Sequence, residues 1–258
     1  MQENKLKIAT IIPARLESKR FPNKLLAKFN GKSILQNVID YTKQFNFPNN
    51  QIILATEDQA LIDIGIKNKL DIYFTSARCG TEKAYQYFLQ HQNYDYYITI
   101  PADEPFIDPN EINKVLQFNK YINCLEILTL YTKFYRLMDL ESNLSCKIVA
   151  DQNDYALYFS RTCIPSSKKL YISYSLETYP LKEYKKHVGI FIFPRLFLMT
   201  YGANLWNQKD SKLAEIEGLE QNRFLEFGFK IKLKEIKHYF FGIDVPSQIP
   251  ILEQRLFS

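Results

Sequence analysis

Glycine is scarce in this chain, with 8 residues among 258. No G-x-x-x-x-G-K-[ST] or G-x-G-x-x-G spacing occurs, which excludes the glycine-rich loops that cradle phosphate in P-loop and dinucleotide-binding proteins. Cysteine is scarce too. Cys79, Cys124, Cys146 and Cys163 form no C-x-x-C pair, which argues against a disulfide framework and against a zinc site. A long hydrophobic run is also missing. The most apolar late stretch, residues 188–202, is interrupted by Pro194 and Arg195 and is too short to span a bilayer. The opening residues, MQENKLK, are polar and carry no apolar signal region, so a soluble cytoplasmic protein without a membrane partner is expected. Charge of one sign is barely in excess. With 33 basic and 28 acidic side chains the net charge is +5, too mild to imply nucleic acid and well suited to a small anionic substrate.

Hydrophobic residues make up 46% of the chain and charged ones 24%, so a packed core is expected. The 15% of aromatic residues reads as a compositional bias rather than a functional signal. Strand-like and helix-like segments alternate. KIATIIPA opens as a strand, Asn30-Gly31 reads as a tight turn, and Ser33 is placed to cap a helix over 34–45. Strands follow at 51–56, 71–75 and 94–102, with helices at 58–69 and 81–91 between them. Asp108, Pro109 and Glu111 give a cap, a first-turn proline and a third-position acid. This order argues for an α/β fold with a mostly parallel central sheet and helices on both faces. Beyond residue 120, short strands are expected at 124–132, 146–151 and 155–161, then an irregular excursion over 166–185. A strand at 187–193 and a helix from 194 follow. Leu213, Ile216, Leu219, Phe224 and Phe227 fall close to one face of a single helix, followed by strands at 229–234 and 238–244 and a last helix from 246. One domain over 1–258 is expected, with a nucleotide-binding part over about 1–120 and a second part over 121–258.

The chemistry is concentrated in Ile11 to Lys24. An apolar strand breaks at Pro13 and gives way to a loop carrying Arg15, Lys19, Arg20 and Lys24, stiffened near its end by Pro22. A loop following a strand of an open α/β sheet lies at the ligand edge, and four cations there suit a triphosphate. Two aspartates share a second pattern. Asp103 and Asp244 each follow an apolar strand-like run, and each has a proline two residues further on. Mg²⁺ is held by one or two carboxylates together with substrate phosphates and water, so the pair would position a metal-bound triphosphate. An aspartate in such a position is equally a helix cap.

These residues and others resemble a known family. IIPARLESKRFPNK, ATED, GTEK, ADEP, KIVAD, YALYFSR, HVGI, LEQNRFLEFGFKI and GIDVP occur in the order, and at nearly the spacing, of the bacterial 3-deoxy-manno-octulosonate (Kdo) cytidylyltransferases. The resemblance implies transfer of CMP from CTP to a Kdo-like sugar acid with release of pyrophosphate, Mg²⁺ as the cofactor, and a homodimer. By motif position it assigns Arg15, Arg20, Lys24, Gly80, Thr81 and Lys83 to the nucleotide, with Arg15, Lys24, Asp103 and Asp244 as the catalytic group and the last two as metal ligands. It assigns Arg161, His187, Glu220 and Gln221 to the sugar acid. Lys147 reads equally as a snorkelling edge lysine or a ligand group.

Several positions depart from the family pattern. Pro101 and Ala102 stand where Gln-Gly is usual, Glu57 replaces an aspartate, and Ala77 and Cys79 replace His and Ser before Gly80-Thr81. Lys83 replaces an arginine, Phe191 a tyrosine, and Ala214 the acid of a Ser-Pro-Leu-Glu segment. Retained metal and triphosphate residues beside altered sugar and base positions fit three readings: a Kdo enzyme, a paralogue for another 2-keto-3-deoxy acid, or a binding protein of the same fold. The joint presence of Arg15, Lys24, Asp103 and Asp244 disfavours the last.

Overall fold

The computed structural model describes residues 6–77, 79–116, 125–166, 180–207, 211–237 and 242–256, without the side chains of 116, 255 and 256. The chain divides into two compact units. The first comprises Met1–Tyr121, Ile190–Arg195 and Phe240–Ser258, and the second Ile122–Gly189 and Leu196–Tyr239. The two returns of the chain to the first unit carry no sequence signal.

The first unit is built on β1 (Ile8–Pro13), β4 (Asn50–Thr56), β5 (Asp71–Phe74) and β6 (Tyr96–Thr99). β1 runs parallel to both β4 and β6, and β4 runs parallel to β5. Ile8, Ala9, Ile11 and Ile12 are all inaccessible to solvent. An unbroken apolar run buried on both faces is what a central parallel strand requires. Residues 191–194 of β10 (Lys185–Pro194) pair antiparallel with β6. A small hairpin, β2 (Lys28–Phe29) and β3 (Lys32–Ser33), turns at Asn30 and Gly31, both at positive φ as a two-residue hairpin turn demands. Ser33 Oγ then accepts the Gln36 amide and caps α1 (Ile34–Thr42). The remaining helices are α2 (Gln59–Lys67), α3 (Gly80–Gln90), α4 (Pro109–Leu116) and α9 (Gln248–Leu256). Gly65 lets α2 approach the sheet closely, since a Cβ there would lie 2.5 Å from Ile72 Cδ1 and 2.9 Å from Leu54 Cδ2.

The second unit contains β7 (Ile127–Lys133) parallel to β11 (Ile231–Glu235), and an antiparallel pair, β8 (Lys147–Ala150) with β9 (Ala156–Ser160). Its helices are α5 (Leu137–Glu141), α6, which begins at Arg195 and ends at Trp206, α7 (Lys212–Glu217) and α8 (Asn222–Glu226).

The expected single helix over 212–228 is two helices. Gly218 adopts the left-handed conformation (φ 61°), and the Leu219 and Gly218 amides donate to the carbonyls of Ala214 and Glu215, closing α7 with a Schellman turn. Leu219 and Phe224 are buried as the pattern requires, but Ile216 is 82% exposed. The strand expected over 94–102 ends at Thr99, which leaves Asp103 four residues beyond it. Of the strand expected over 238–244, residues 238–241 lie outside the described set, and Gly242–Asp244 have no regular structure. Most of the 166–185 excursion and Cys124 also lie outside it, while Cys79, Cys146 and Cys163 form no disulfide with one another. Among the described residues no helix is long and apolar enough to cross a membrane.

Candidate active site

The cationic loop and the two aspartates meet in the first unit. After β1 the chain runs without regular structure to a left-handed Asn23 (φ 56°), then makes one 3₁₀ turn over Lys24–Leu26. That turn directs the mostly buried Lys24 inward. Its Nζ lies 2.5 Å from Asp103 Oδ2 and 3.8 Å from Asp244 Oδ1. Arg20 Nη2 donates to the same Asp244 oxygen at 3.0 Å. Two cations thus face two carboxylates.

The aspartate segments are fixed to each other as well. The Ile243 amide donates to the Asp103 carbonyl at 3.1 Å. Gln248 Oε1, from the first residue of α9, accepts the amides of Asp244 (2.6 Å) and Val245 (3.0 Å) and holds the turn that carries Asp244. Among the described residues no cluster of three His, Cys, Asp or Glu side chains forms a complete metal cage. Two hard carboxylates converging on one ammonium nitrogen nevertheless fit a Mg²⁺ seat of the kind completed by phosphate oxygens and water. Of the other residues assigned to the nucleotide, Arg15 is exposed on the loop, Gly80 and Thr81 begin α3, and Thr81 is buried. Lys83 is buried, and its ammonium donates to the backbone carbonyls of Ala14 and Ala55. Sequence reasoning missed Asp58, whose carboxylate accepts the Leu16 amide at 2.7 Å.

A second polar cluster lies within the second unit and brings together His187 and Gln221. Gln221 Nε2 lies 3.4 Å from His187 Nδ1, and His187 Nε2 lies 2.9 Å from Thr129 Oγ1. The amide nitrogen of Gln221 only donates, so Nδ1 accepts and the imidazole proton resides on Nε2, facing Thr129. Burial lowers the His187 pKa to about 3, which keeps the ring neutral. Burial likewise pushes the nearby Cys146 thiol up to about 12. Gln221 donates to its sulfur at 3.5 Å.

Arg161 anchors its guanidinium on the carbonyls of Asn143 and Gly218, at 3.2 and 3.4 Å. Glu220 lies in the turn between α7 and α8 rather than within a helix. Glu217, which the sequence did not single out, organises the β9 end. It accepts from Ser160 Oγ (2.8 Å), Tyr158 Oη (3.3 Å) and the Arg161 amide (3.1 Å). Lys147 is neither snorkelling nor poised for a ligand. It is inaccessible to solvent, and its Nζ donates to the carbonyls of Ser142 (2.7 Å), Ser145 (3.0 Å) and Arg161 (2.7 Å), which uses all three protons. Burial lowers its pKa to about 8.

Parallel strands that alternate with helices, a cation-rich loop after the first strand and a facing pair of aspartates make a site suited to a nucleotide polyphosphate. The chain belongs to the cytidylyltransferase family, whose model matches residues 9–234. It is 32% identical over 250 residues to the 3-deoxy-manno-octulosonate cytidylyltransferase of Fusobacterium nucleatum, covering 95% of this chain and 94% of that one. It is also 32% identical over 257 residues to the 8-amino-3,8-dideoxy-manno-octulosonate cytidylyltransferase of Shewanella baltica, covering 97% and 99%. Among solved structures it is similar to a CMP:2-keto-3-deoxy-manno-octonic acid synthetase complexed with CTP. That likeness has a TM-score of 0.79 and 26% identity, over 97% of this chain and 98% of that one. The inositol-1-phosphate CTP transferase from T. maritima, at 11% identity and a TM-score of 0.61, shares the fold.

Two departures from the family pattern have local explanations. Phe191 is 2% exposed and stacks on Phe193, so the ring is core packing. At Ala214, where the family pattern carries an acid, Glu226 supplies a carboxylate from α8 to the same helix start. It accepts from the Ser211 hydroxyl and the Leu213 amide, while Ser211 Oγ accepts the Ala214 amide.

Proposed function

We propose that this protein transfers CMP from CTP to the anomeric hydroxyl of an eight-carbon 3-deoxy-2-keto sugar acid. The new bond joins that oxygen to the α-phosphorus, the hydroxyl proton passes to solvent, the α–β phosphoanhydride bond breaks, and pyrophosphate leaves with its electron pair. What carries the reading is the nearly end-to-end likeness to two octulosonate cytidylyltransferases, together with the convergence of Lys24 on Asp103 and Asp244.

Phosphoryl chemistry of this kind depends on positioning and charge neutralisation. Arg15, Arg20 and Lys24 neutralise the triphosphate. Lys24 and Arg20 exchange their carboxylate partners for phosphate oxygens, which releases the two aspartates. Asp103 and Asp244 would then hold Mg²⁺, which supplies charge stabilisation at the phosphates. In the second unit Arg161 suits the sugar carboxylate, because a guanidinium has five donors and two are spent on backbone carbonyls. Neutral His187, Gln221 and Glu220 complete the polar set for the acid.

The equal identity to the 8-amino enzyme keeps the 8-amino acid as the second acceptor to test. A cytoplasmic homodimer is the assembly and location that go with this reading. Pyrophosphate release with CTP, measured across Kdo, its 8-amino analogue and other 2-keto-3-deoxy acids, is the test. Turnover with none of them would overturn the reading, and analytical ultracentrifugation checks the dimer.

A further inference from the structure

The cationic loop has no glycine-rich cradle, yet its first cation is held in place. The two peptide planes that flank the Arg15 Cα are each bound by a charged side chain from a different helix. On one side, the Ala14 carbonyl accepts from Lys83 Nζ at 3.1 Å. The same ammonium donates to the Ala55 carbonyl at 3.2 Å, and the Ala14 amide donates to that carbonyl at 3.0 Å. On the other side, the Leu16 amide donates to Asp58 Oδ2 at 2.7 Å.

Asp58 is the N-cap residue of α2, but its side chain makes no cap hydrogen bond to that helix. A capping aspartate normally contributes about 0.5–2 kcal/mol to its own helix. Here the carboxylate instead reaches a loop 42 residues earlier in the chain. Lys83 makes the complementary choice. Burial lowers its pKa, Glu57 and Asp58 oppose that shift, and Arg15 reinforces it, so the four charges form one electrostatic group. A buried ammonium bonded to carbonyls at the ends of β1 and β4 costs desolvation that an apolar side chain would not.

We infer that Lys83 and Asp58 are positioning residues that fix the backbone direction from which Arg15 reaches the triphosphate, with Lys83 acting through the loop rather than as a nucleotide ligand. With both flanking planes hydrogen-bonded, the φ and ψ of Arg15 are set before ligand arrives, and the ordering entropy of the loop root is removed from binding. This rests on the reading of Arg15 as a triphosphate ligand.

The test is calorimetry of CTP with Mg²⁺, without acceptor, on wild type, Arg15→Ala, Asp58→Ala, Asp58→Asn, Lys83→Met and the double variant Arg15→Ala/Asp58→Ala. Each of Arg15→Ala, Asp58→Ala and Lys83→Met is expected to weaken CTP binding about tenfold, and the double variant to bind no more weakly than Arg15→Ala alone. Asp58→Asn keeps an oxygen for the Leu16 amide and is expected to stay within about twofold of wild type. Should Arg15→Ala weaken binding while Asp58→Ala and Lys83→Met do not, or should the losses simply add in the double variant, the positioning role is wrong and the triphosphate role of Arg15 stands. Unchanged affinity in Arg15→Ala removes the triphosphate role, and the positioning role with it.

Discussion

Lys24 and Asp103 satisfy each other at 2.5 Å, so a lysine suited to phosphate and an aspartate suited to metal are each other's partner in the protein alone. The Lys24 ammonium and a divalent cation compete for the same two carboxylates and repel each other, so the protein without nucleotide should hold metal weakly. Lys24→Met removes the competitor while keeping the length of the side chain. We expect this variant to bind Mn²⁺ about tenfold more tightly than wild type in the absence of nucleotide, and to bind CTP more weakly. Electron paramagnetic resonance titration of free Mn²⁺ reads the first effect and calorimetry the second. Equal Mn²⁺ affinity would show that the ion pair does not guard the carboxylates.

Asp103→Asn and Asp244→Asn conserve shape and remove one negative charge each. Turnover is expected to fall by about two orders of magnitude or more in both, with the near-ultraviolet circular dichroism unchanged. Near-normal pyrophosphate release by either variant at ordinary Mg²⁺ would remove that residue from the metal seat.

His187 gives a pH signature to stability. Its folded pKa is about 3 against an ordinary 6.5, because burial disfavours the charged ring. Below pH 6.5 the unfolded chain takes up a proton that the folded chain does not. The contribution is therefore complete above pH 6.5 and is lost as pH falls toward 3. Between pH 7 and pH 5 the loss is about 2 kcal/mol. His187→Gln lacks this group, so urea denaturation at the two pH values should show wild type losing more stability than the variant. Parallel losses in the two proteins would contradict the buried neutral ring.

The capping arrangement at α7 predicts a rescue. Glu226→Ala removes the carboxylate shared by Ser211 and Leu213 and should lower the urea midpoint. Adding Ala214→Glu in that background places an acid at the third helical position and should restore the midpoint. Failure to restore it would mean that Glu226 acts through something other than the helix start.

Local signals carried most of the first unit. An unbroken apolar run gave β1, Ser33 gave the start of α1, and Asn30-Gly31 gave the hairpin turn, because each is decided by neighbours within a few residues. Features decided at long range were not legible. Periodicity read across Gly218 because apolar spacing does not register a left-handed φ. Lys147 read equally as an edge lysine or a ligand group, because its three acceptors, from a bend before β8 and from Arg161, are visible only in the fold. Asp58 drew no notice as the first residue of an expected helix, and only the fold shows that its carboxylate serves Leu16. The four groups Arg20, Lys24, Asp103 and Asp244 were singled out from the sequence, but their pairing with one another was not.

The backbone bond from Ile243 to Asp103 joins segments separated by the whole of the second unit. On the ribosome, Lys24 and Asp103 are made early, and Asp244 arrives only after the second unit has been synthesised. Until then the lysine has one carboxylate rather than two, and the turn held by Gln248 does not exist. A nascent chain therefore carries the cationic loop without the Asp244 carboxylate that Arg20 and Lys24 share. Arrival of residues 242–256 brings Asp244 to both Arg20 and Lys24 and sets the turn that Gln248 holds.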